Sequence, residues 1–432
     1  MAYEFPVKNK FEAREVTELD FDIGNETADL YVDLHRERIQ GDTDYLREIK
    51  YGLSLDDENR LSRQPQSYAK IIFSGHRGSG KTTELRGLHH FLDHPDRYFS
   101  IFIELEKETE VYNFQPEDLF IFLIAKLAEK VQEKNVLFES NELNDIVSDW
   151  LSETEVAKEL NRTFNAGLGT EAGINVNIFS IVKLKAVLKS AFTAESKFSS
   201  VVRRKIRQNP SRLIERFNQA LVDLRILIRN KGLGQDVLFI VDGSEKTRPE
   251  VFDQLFIKNY SLIEMLNVNA VFSVPITAYF DIERGPSQNF FQNHVLPMLK
   301  IKDPSATALP QVITRRIDPE TFLEADALEY IVRMSGGCPR QLLRIVNRSL
   351  TIGAGRKIDR ELAEKACLRL GGEMLDQLDS EHRDILLKGE FNTADVKVKE
   401  LLFSLAVIKY NGDRAINPLI IQDVESLRES SG

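Results

Sequence analysis

At 432 residues, 42% of them hydrophobic and 29% charged, the chain has the make-up of a soluble globular protein with room for two or three domains. No run approaches the roughly 18 unbroken apolar residues of a membrane span, which excludes a membrane-spanning helix. A formal net charge of −10 argues against a surface coated in nucleic acid, although a local basic patch stays open because phosphate attraction is set by the contacting face.

Two cysteines, Cys338 and Cys367, provide neither a disulfide framework nor metal-ligand spacing. The start, MAYEFPVKNKFEAREV, has no charged-then-apolar leader, so the expected location is the cytoplasm. Residues 1–66 form an acidic, turn-rich extension whose one aliphatic-aromatic stretch, ADLYVDLHRERI, is expected to pack on the domain that follows. From 70 to 136 the pattern runs strand (KIIFSG), helix (KTTELRGLHHFL), strand (YFSIFIEL), helix (PEDLFIFLIAKLAEKVQEK), with Pro116 where a first helical turn tolerates it. Continuous apolar strands alternating with helices imply a parallel sheet covered on both faces.

Residues 137–212 break that rhythm with a helical piece, a glycine-dotted stretch (NAGLGTEAGINVNIF) and a basic helix (SSVVRRKIRQNPSR), and read as an insertion in a core spanning 67–310. A helix over 211–230 leads to the buried strand DVLFIVDG at 236–243, and VNAVFSVP at 268–275 and HVLPMLKIK at 294–302 read as further strands. After Pro310 the chain becomes helical, a lid over 311–375, with the glycines at 336–337 and 371–372 expected to cap two of its helices. Residues 376–432 read helix, helix, then a hairpin signalled by the turn Asn411-Gly412-Asp413, the outline of a small winged-helix-like domain.

The segment SGHRGSGKTTEL carries the chemistry. Gly75-x4-Gly80-Lys81-Thr82 matches G-x-x-x-x-G-K-[ST], behind a strand and ahead of a helix as that motif requires. Gly75, Gly78 and Gly80 let the backbone aim N–H groups at phosphate oxygens, and the helix opening at Lys81 adds its positive end. Across Gly75, His76, Arg77, Gly78, Ser79, Gly80, Lys81, Thr82 and Thr83 the expectation is an ATP cradle, with Lys81 on the β- and γ-phosphates, the Thr82 hydroxyl on Mg²⁺ and Thr83 at the α-phosphate. Hydrolysis also needs an acidic Mg²⁺ anchor and a group to orient water. Asp242, ending an apolar strand, is the candidate anchor; Glu245 is the first candidate to polarise water, ahead of Glu250.

The pair GHRGSGKTTEL and LFIVDGSEK resembles AAA+ and STAND-type ATPases, in particular stand-alone bacterial ATP-binding proteins with the same Gly-His-Arg-Gly-Ser-Gly-Lys box, over residues 30–350. The resemblance implies a P-loop NTPase α/β fold with a helical lid and a winged-helix end. It implies a first sensor in VFSVPIT, Ser273 or Thr277, and a lid arginine on the γ-phosphate in SGGCPRQLLRIV, Arg340. Gly243 departs from the acidic residue that follows the aspartate in many AAA+ proteins, which throws hydrolysis onto Glu245. A transition-state arginine from a neighbouring subunit would imply a homo-oligomer, with Arg284 first and Arg315 and Arg316 next as candidates.

Other signals carry less. His90 and His94 stand one helical turn apart but have no third metal ligand, and the basic run Arg203, Arg204, Lys205, Arg207, Arg212 suits a solvated face or an acidic partner better than phosphate. The functional expectation is an ATP-hydrolysing molecular switch controlling a protein effector, in the anti-phage or mobile-element defence that the resemblance suggests. The alternatives are a DNA-handling AAA+ ATPase of initiator or transposition type, or a non-hydrolysing ATP-bound scaffold.

Overall fold

In the computed structural model the described residues are 3–19, 21, 29–39, 44–61, 67–136, 138, 140–150, 197–280, 290 and 292–431. Five strands, β1 (Lys70–Gly75), β2 (Tyr98–Glu104), β3 (Asp236–Asp242), β4 (Asn269–Pro275) and β5 (Gln292–Leu296), pair in parallel in the order β2-β3-β4-β1-β5. β1 and β3 are buried along their whole length, which is why their sequences are near-continuous apolar runs instead of alternating ones. One face is covered by helices Pro116–Glu133 and Pro210–Asn230, the other by Tyr45–Gly52 and the P-loop helix Lys81–Leu92. This is the α/β fold of P-loop NTPases. Its order places β1, which carries the loop, between β4 and β5, so the loop lies among the carboxyl ends of its neighbours.

Among the described residues, a second core joins the lid helices Ala325–Met334, Pro339–Ile352 and Arg360–Leu375 to the C-terminal unit. That unit runs helix Ser380–Lys388, helix Val396–Phe403, the antiparallel hairpin β6 (Val407–Lys409) and β7 (Arg414–Ile416), and helix Ile421–Ser431. Gly412, at φ 75°, makes the hairpin turn, where Tyr410 N–H donates to the Asp413 carbonyl at 2.9 Å. The N-terminal extension divides: Val7, Ala13 and Val16 enter the lid core, whereas Tyr45, Ile49 and Leu53 pack on the sheet.

Three sequence expectations are corrected. The strand expected over 294–302 spans Gln292–Leu296, because Pro297 has no N–H for a ladder and the chain turns toward the C-terminal unit, Met298 N–H donating to Lys409 at 3.1 Å. Gly336 and Gly337 do follow a helix at positive φ, 60° and 74°, but Gly371 and Gly372 lie inside helix Arg360–Leu375. Gly371 is there for a close approach: a Cβ would stand 2.4 Å from the Leu419 carbonyl oxygen. The basic helix ends at Gln208, and Pro210 opens a new helix capped by the Asn209 side chain. Its Arg203 makes a two-pronged pair with buried Asp118, both at 2.7 Å, and Arg207 meets Glu117 at 2.7 Å. Those guanidinium groups therefore answer the acidic first turn of the neighbouring helix. The glycine-dotted stretch of the insertion lies outside the described residues.

Candidate nucleotide site

The loop from Gly75 to Lys81 leaves β1 and enters its helix with Gly78 at φ 82° and Gly80 at φ 94°, angles that side-chain-bearing residues avoid. Lys81 is buried, its Nζ donating to the Gly75 carbonyl at 3.0 Å and the His76 carbonyl at 3.4 Å and lying 3.5 Å from Glu245 Oε1. Thr82 Oγ1 donates to Asp242 Oδ2 at 2.6 Å across the end of β4. The second Asp242 oxygen is buried without a hydrogen-bond partner, and burial, then the neighbouring Glu245 charge, pushes its carboxyl up to about 6. An orphaned carboxylate oxygen beside a hydroxyl is an all-oxygen donor set of the kind Mg²⁺ takes, so Thr82 and Asp242 fit that ion.

Gly243, at φ 94°, turns the chain after β3 and brings Glu245 back over the loop. Ser273 in β4 orients it: the Ser273 hydroxyl donates to Glu245 Oε2 at 2.5 Å and accepts from Gly243 N–H at 2.8 Å. Burial works against the Glu245 charge, but Lys81 and the Ser273 hydrogen bond outweigh it and hold the carboxyl below its ordinary range. A largely buried carboxylate held below its ordinary range beside Lys81 is equipped to accept a hydrogen bond from water. Glu250 is exposed on the helix Pro249–Asp253 and takes no part.

The start of helix Pro339–Ile352 lies against the loop. Arg340 N–H and the Cys338 thiol both donate to the Gly78 carbonyl, at 3.3 and 3.5 Å. A Cβ on Gly78 would stand 2.3 Å from Arg340 Cβ, so only glycine admits the lid this closely. Arg340 is half-buried, and burial followed by the Arg77 charge lowers its pKa. A cleft of about 1290 Å³ runs between loop, lid, N-terminal segment and C-terminal unit, with Arg77, Lys81, Thr83, Thr277 and Arg340 toward the loop and Leu30, Tyr31 and Val312 among its apolar walls.

His76 behaves differently from its loop neighbours. Its imidazole is buried and bonds away from the cradle, Nδ1 to the Leu402 carbonyl at 2.9 Å while Nε2 accepts from Lys409 N–H at 2.7 Å. The arrangement requires a neutral ring with its proton on Nδ1, and burial lowers its pKa to about 4. The Ser79 hydroxyl is also buried, without a partner.

The proposed trans arginines fare unevenly. Arg284 lies outside the described residues. Arg315 donates to the carbonyls of Asp29 and Tyr31 of its own chain, and Arg316 is 4% exposed, facing the cleft with its Nε unpartnered. Arg316 is thus turned inward, whereas Arg315 stays exposed while bonded to its own chain. The sequence reading passed over Arg38, whose guanidinium donates to the Ser79 carbonyl at 2.6 Å. Its only local signal was an arginine within an aliphatic stretch. Among the described residues no cluster of three or more His, Cys, Asp and Glu side chains suited to a metal occurs, and no helix is long and apolar enough to cross a membrane.

No protein-family model matches the chain, and no curated protein does. Solved structures with a similar fold include the Walker-type ATPase PABY2304 of Pyrococcus abyssi, 14% identical at TM-score 0.42, over 92% of this chain and 99% of that one. The Aeropyrum pernix Orc1 protein, solved in complex with DNA, is 14% identical at TM-score 0.40, over 96% of this chain and 87% of that one. Cdc6p from Pyrobaculum aerophilum is 13% identical at TM-score 0.36, over 96% and 98%.

Proposed function

We propose that the chain binds ATP with Mg²⁺ and hydrolyses it as a molecular switch. The observation that carries this reading is the meeting of Thr82 with Asp242 at 2.6 Å, a partnerless carboxylate oxygen beside them and Lys81 within 3.5 Å of Glu245. The loop amides and Lys81 would hold the phosphates, and the apolar wall at Leu30, Tyr31 and Val312 suits a base. Thr82 and Asp242 would hold Mg²⁺, which when bound offsets phosphate charge. Glu245, fixed by Ser273, orients a water and accepts its hydrogen bond, and Arg340 lends positive charge to the phosphate end.

The switch reading is supported by the lid and the C-terminal unit both bonding the loop backbone or its His76 side chain, so occupancy and the pose of both units are mechanically linked. In this reading a second protein senses that pose, with an effector in anti-phage or mobile-element defence as the setting and self-association as the assembly. The DNA-handling alternative gains no support from the basic helix, where Arg203 and Arg207 are already paired with carboxylates.

Labelled-ATP binding with Mg²⁺ and steady-state phosphate release test the reading. Lys81→Ala should lose both; Glu245→Gln should bind ATP and release no phosphate above background. Wild type that takes up no nucleotide refutes the site, and wild type that binds without turnover leaves the ATP-bound scaffold. Stimulation by duplex DNA that collapses with added salt would favour the DNA-handling alternative.

A further inference from the structure

We propose that Arg38 is a positioning residue for the phosphate cradle, which makes the N-terminal segment a working part of the nucleotide site; the inference rests on the nucleotide reading above. Arg38 ends the short helix His35–Arg38, and its side chain is 1% exposed. A guanidinium so deeply buried is destabilising unless its donors are engaged. One arm donates to the Pro297 carbonyl, the other to the Ser79 carbonyl at 2.6 Å, and Nε lies 3.7 Å from Glu84 Oε1 without a hydrogen bond of its own.

The two carbonyls belong to different strands' exits. Ser79 lies in the loop after β1, and Pro297 directly follows β5, whose last residue Leu296 pairs with Gly75. One planar fork thus ties the loop to the adjoining strand end. Glu84, one turn into the P-loop helix, is buried; burial raises its carboxyl and Arg38 opposes that rise. Carbonyl, carbonyl and carboxylate surround the cation, and all three belong to the nucleotide domain.

The consequence follows from peptide geometry. The Ser79–Gly80 peptide is planar and trans, so its C=O and N–H point in opposite directions. Holding the Ser79 oxygen on Arg38 aims the Gly80 N–H to the other side, and Gly80 lines the cleft. Gly80 sits at φ 94°, where the backbone has little resistance to rotating without an external tie. Arg38 supplies that tie, so the amide is oriented before phosphate arrives and binding does not have to order it. Lysine cannot replace it, since a single ammonium lacks the fork that spans both carbonyls.

The experiment measures ATP binding by wild type, Arg38→Ala and Arg38→Lys, alongside thermal melting, with and without low-millimolar guanidinium. Because Arg38 borders the cleft, small guanidinium can enter the space that Arg38→Ala opens. The expected result is ATP binding about tenfold weaker or worse in Arg38→Ala, the size of one lost charged hydrogen bond, partly restored by guanidinium, with wild type unaffected by it. Arg38→Lys should bind weakly without rescue. If Arg38→Ala does not fold, Arg38→Lys carries the test: a wild-type melting point with about tenfold weaker binding supports the proposal. Either variant binding ATP within about twofold of wild type overturns it, as does a loss in Arg38→Ala that guanidinium leaves untouched. Wild type that fails to bind ATP instead removes the nucleotide reading itself.

Discussion

Lowering the pH tests the bond between the P-loop and the C-terminal unit. His76 is neutral in the folded protein because burial, and then the nearby Lys81 and Lys409 charges, lower its pKa from 6.5 to about 4. In the unfolded chain it takes a proton near its ordinary value. Above pH 6.5 both states are neutral and the full stability is present; as pH falls from 6.5 toward 4 only the unfolded state gains the proton, so stability is lost. The loss amounts to about 2 kcal/mol by pH 5 and about 3 kcal/mol by pH 4, and levels off below that as the folded state takes the proton too. His76→Gln keeps a neutral donor and acceptor but cannot titrate. Urea unfolding of wild type and His76→Gln over pH 4 to 7.5 should therefore show wild type losing about 3 kcal/mol more than the variant. His89, also lowered to about 4 by burial and the Lys130 charge, is present in both proteins and cancels. Parallel loss in the two proteins would refute the claim that the ring is held neutral between Leu402 and Lys409.

Gly78→Ala should reduce ATP turnover sharply, since positive φ costs a residue with a side chain about 1–2 kcal/mol and the new Cβ would collide with Arg340 at 2.3 Å; unchanged phosphate release would show that the lid need not sit where it does. Ser273→Ala frees Glu245 and leaves the Gly243 N–H without its acceptor, so kcat should fall by about tenfold while ATP affinity holds; a change confined to affinity would contradict the orienting role. Arg203→Ala strands the buried Asp118 carboxylate and should destabilise the protein by about 3 kcal/mol in denaturant, whereas Arg207→Ala, at a largely exposed side chain, should cost well under about 1 kcal/mol. Equal costs would mean that the Asp118 pair is not buried in solution.

The cradle was readable because its residues are consecutive: glycines at fixed spacing, then Lys81 and Thr82, state a backbone shape and a charge without reference to the rest of the chain. The same holds for β1 and β3, whose unbroken apolar runs announce burial on both faces, and for Asp242 at the end of such a run. Where local pattern misled, a distant neighbour was responsible. Gly371 resembles a helix cap until the Leu419 carbonyl is found against it, and Arg316 resembles a surface arginine until the lid folds it into the cleft.

Composition and local spacing thus determined the P-loop, the parallel α/β layers and the acidic strand end. Only the tertiary structure decided that His76 faces the C-terminal unit, that Ser273 holds Glu245 and that Arg38 grips Ser79. The reason is physical: a hydrogen bond acts over about 3 Å, and which groups come that close across 28, 41 or 326 residues of chain is set by the packing of strands and helices, for which no short stretch holds the instructions.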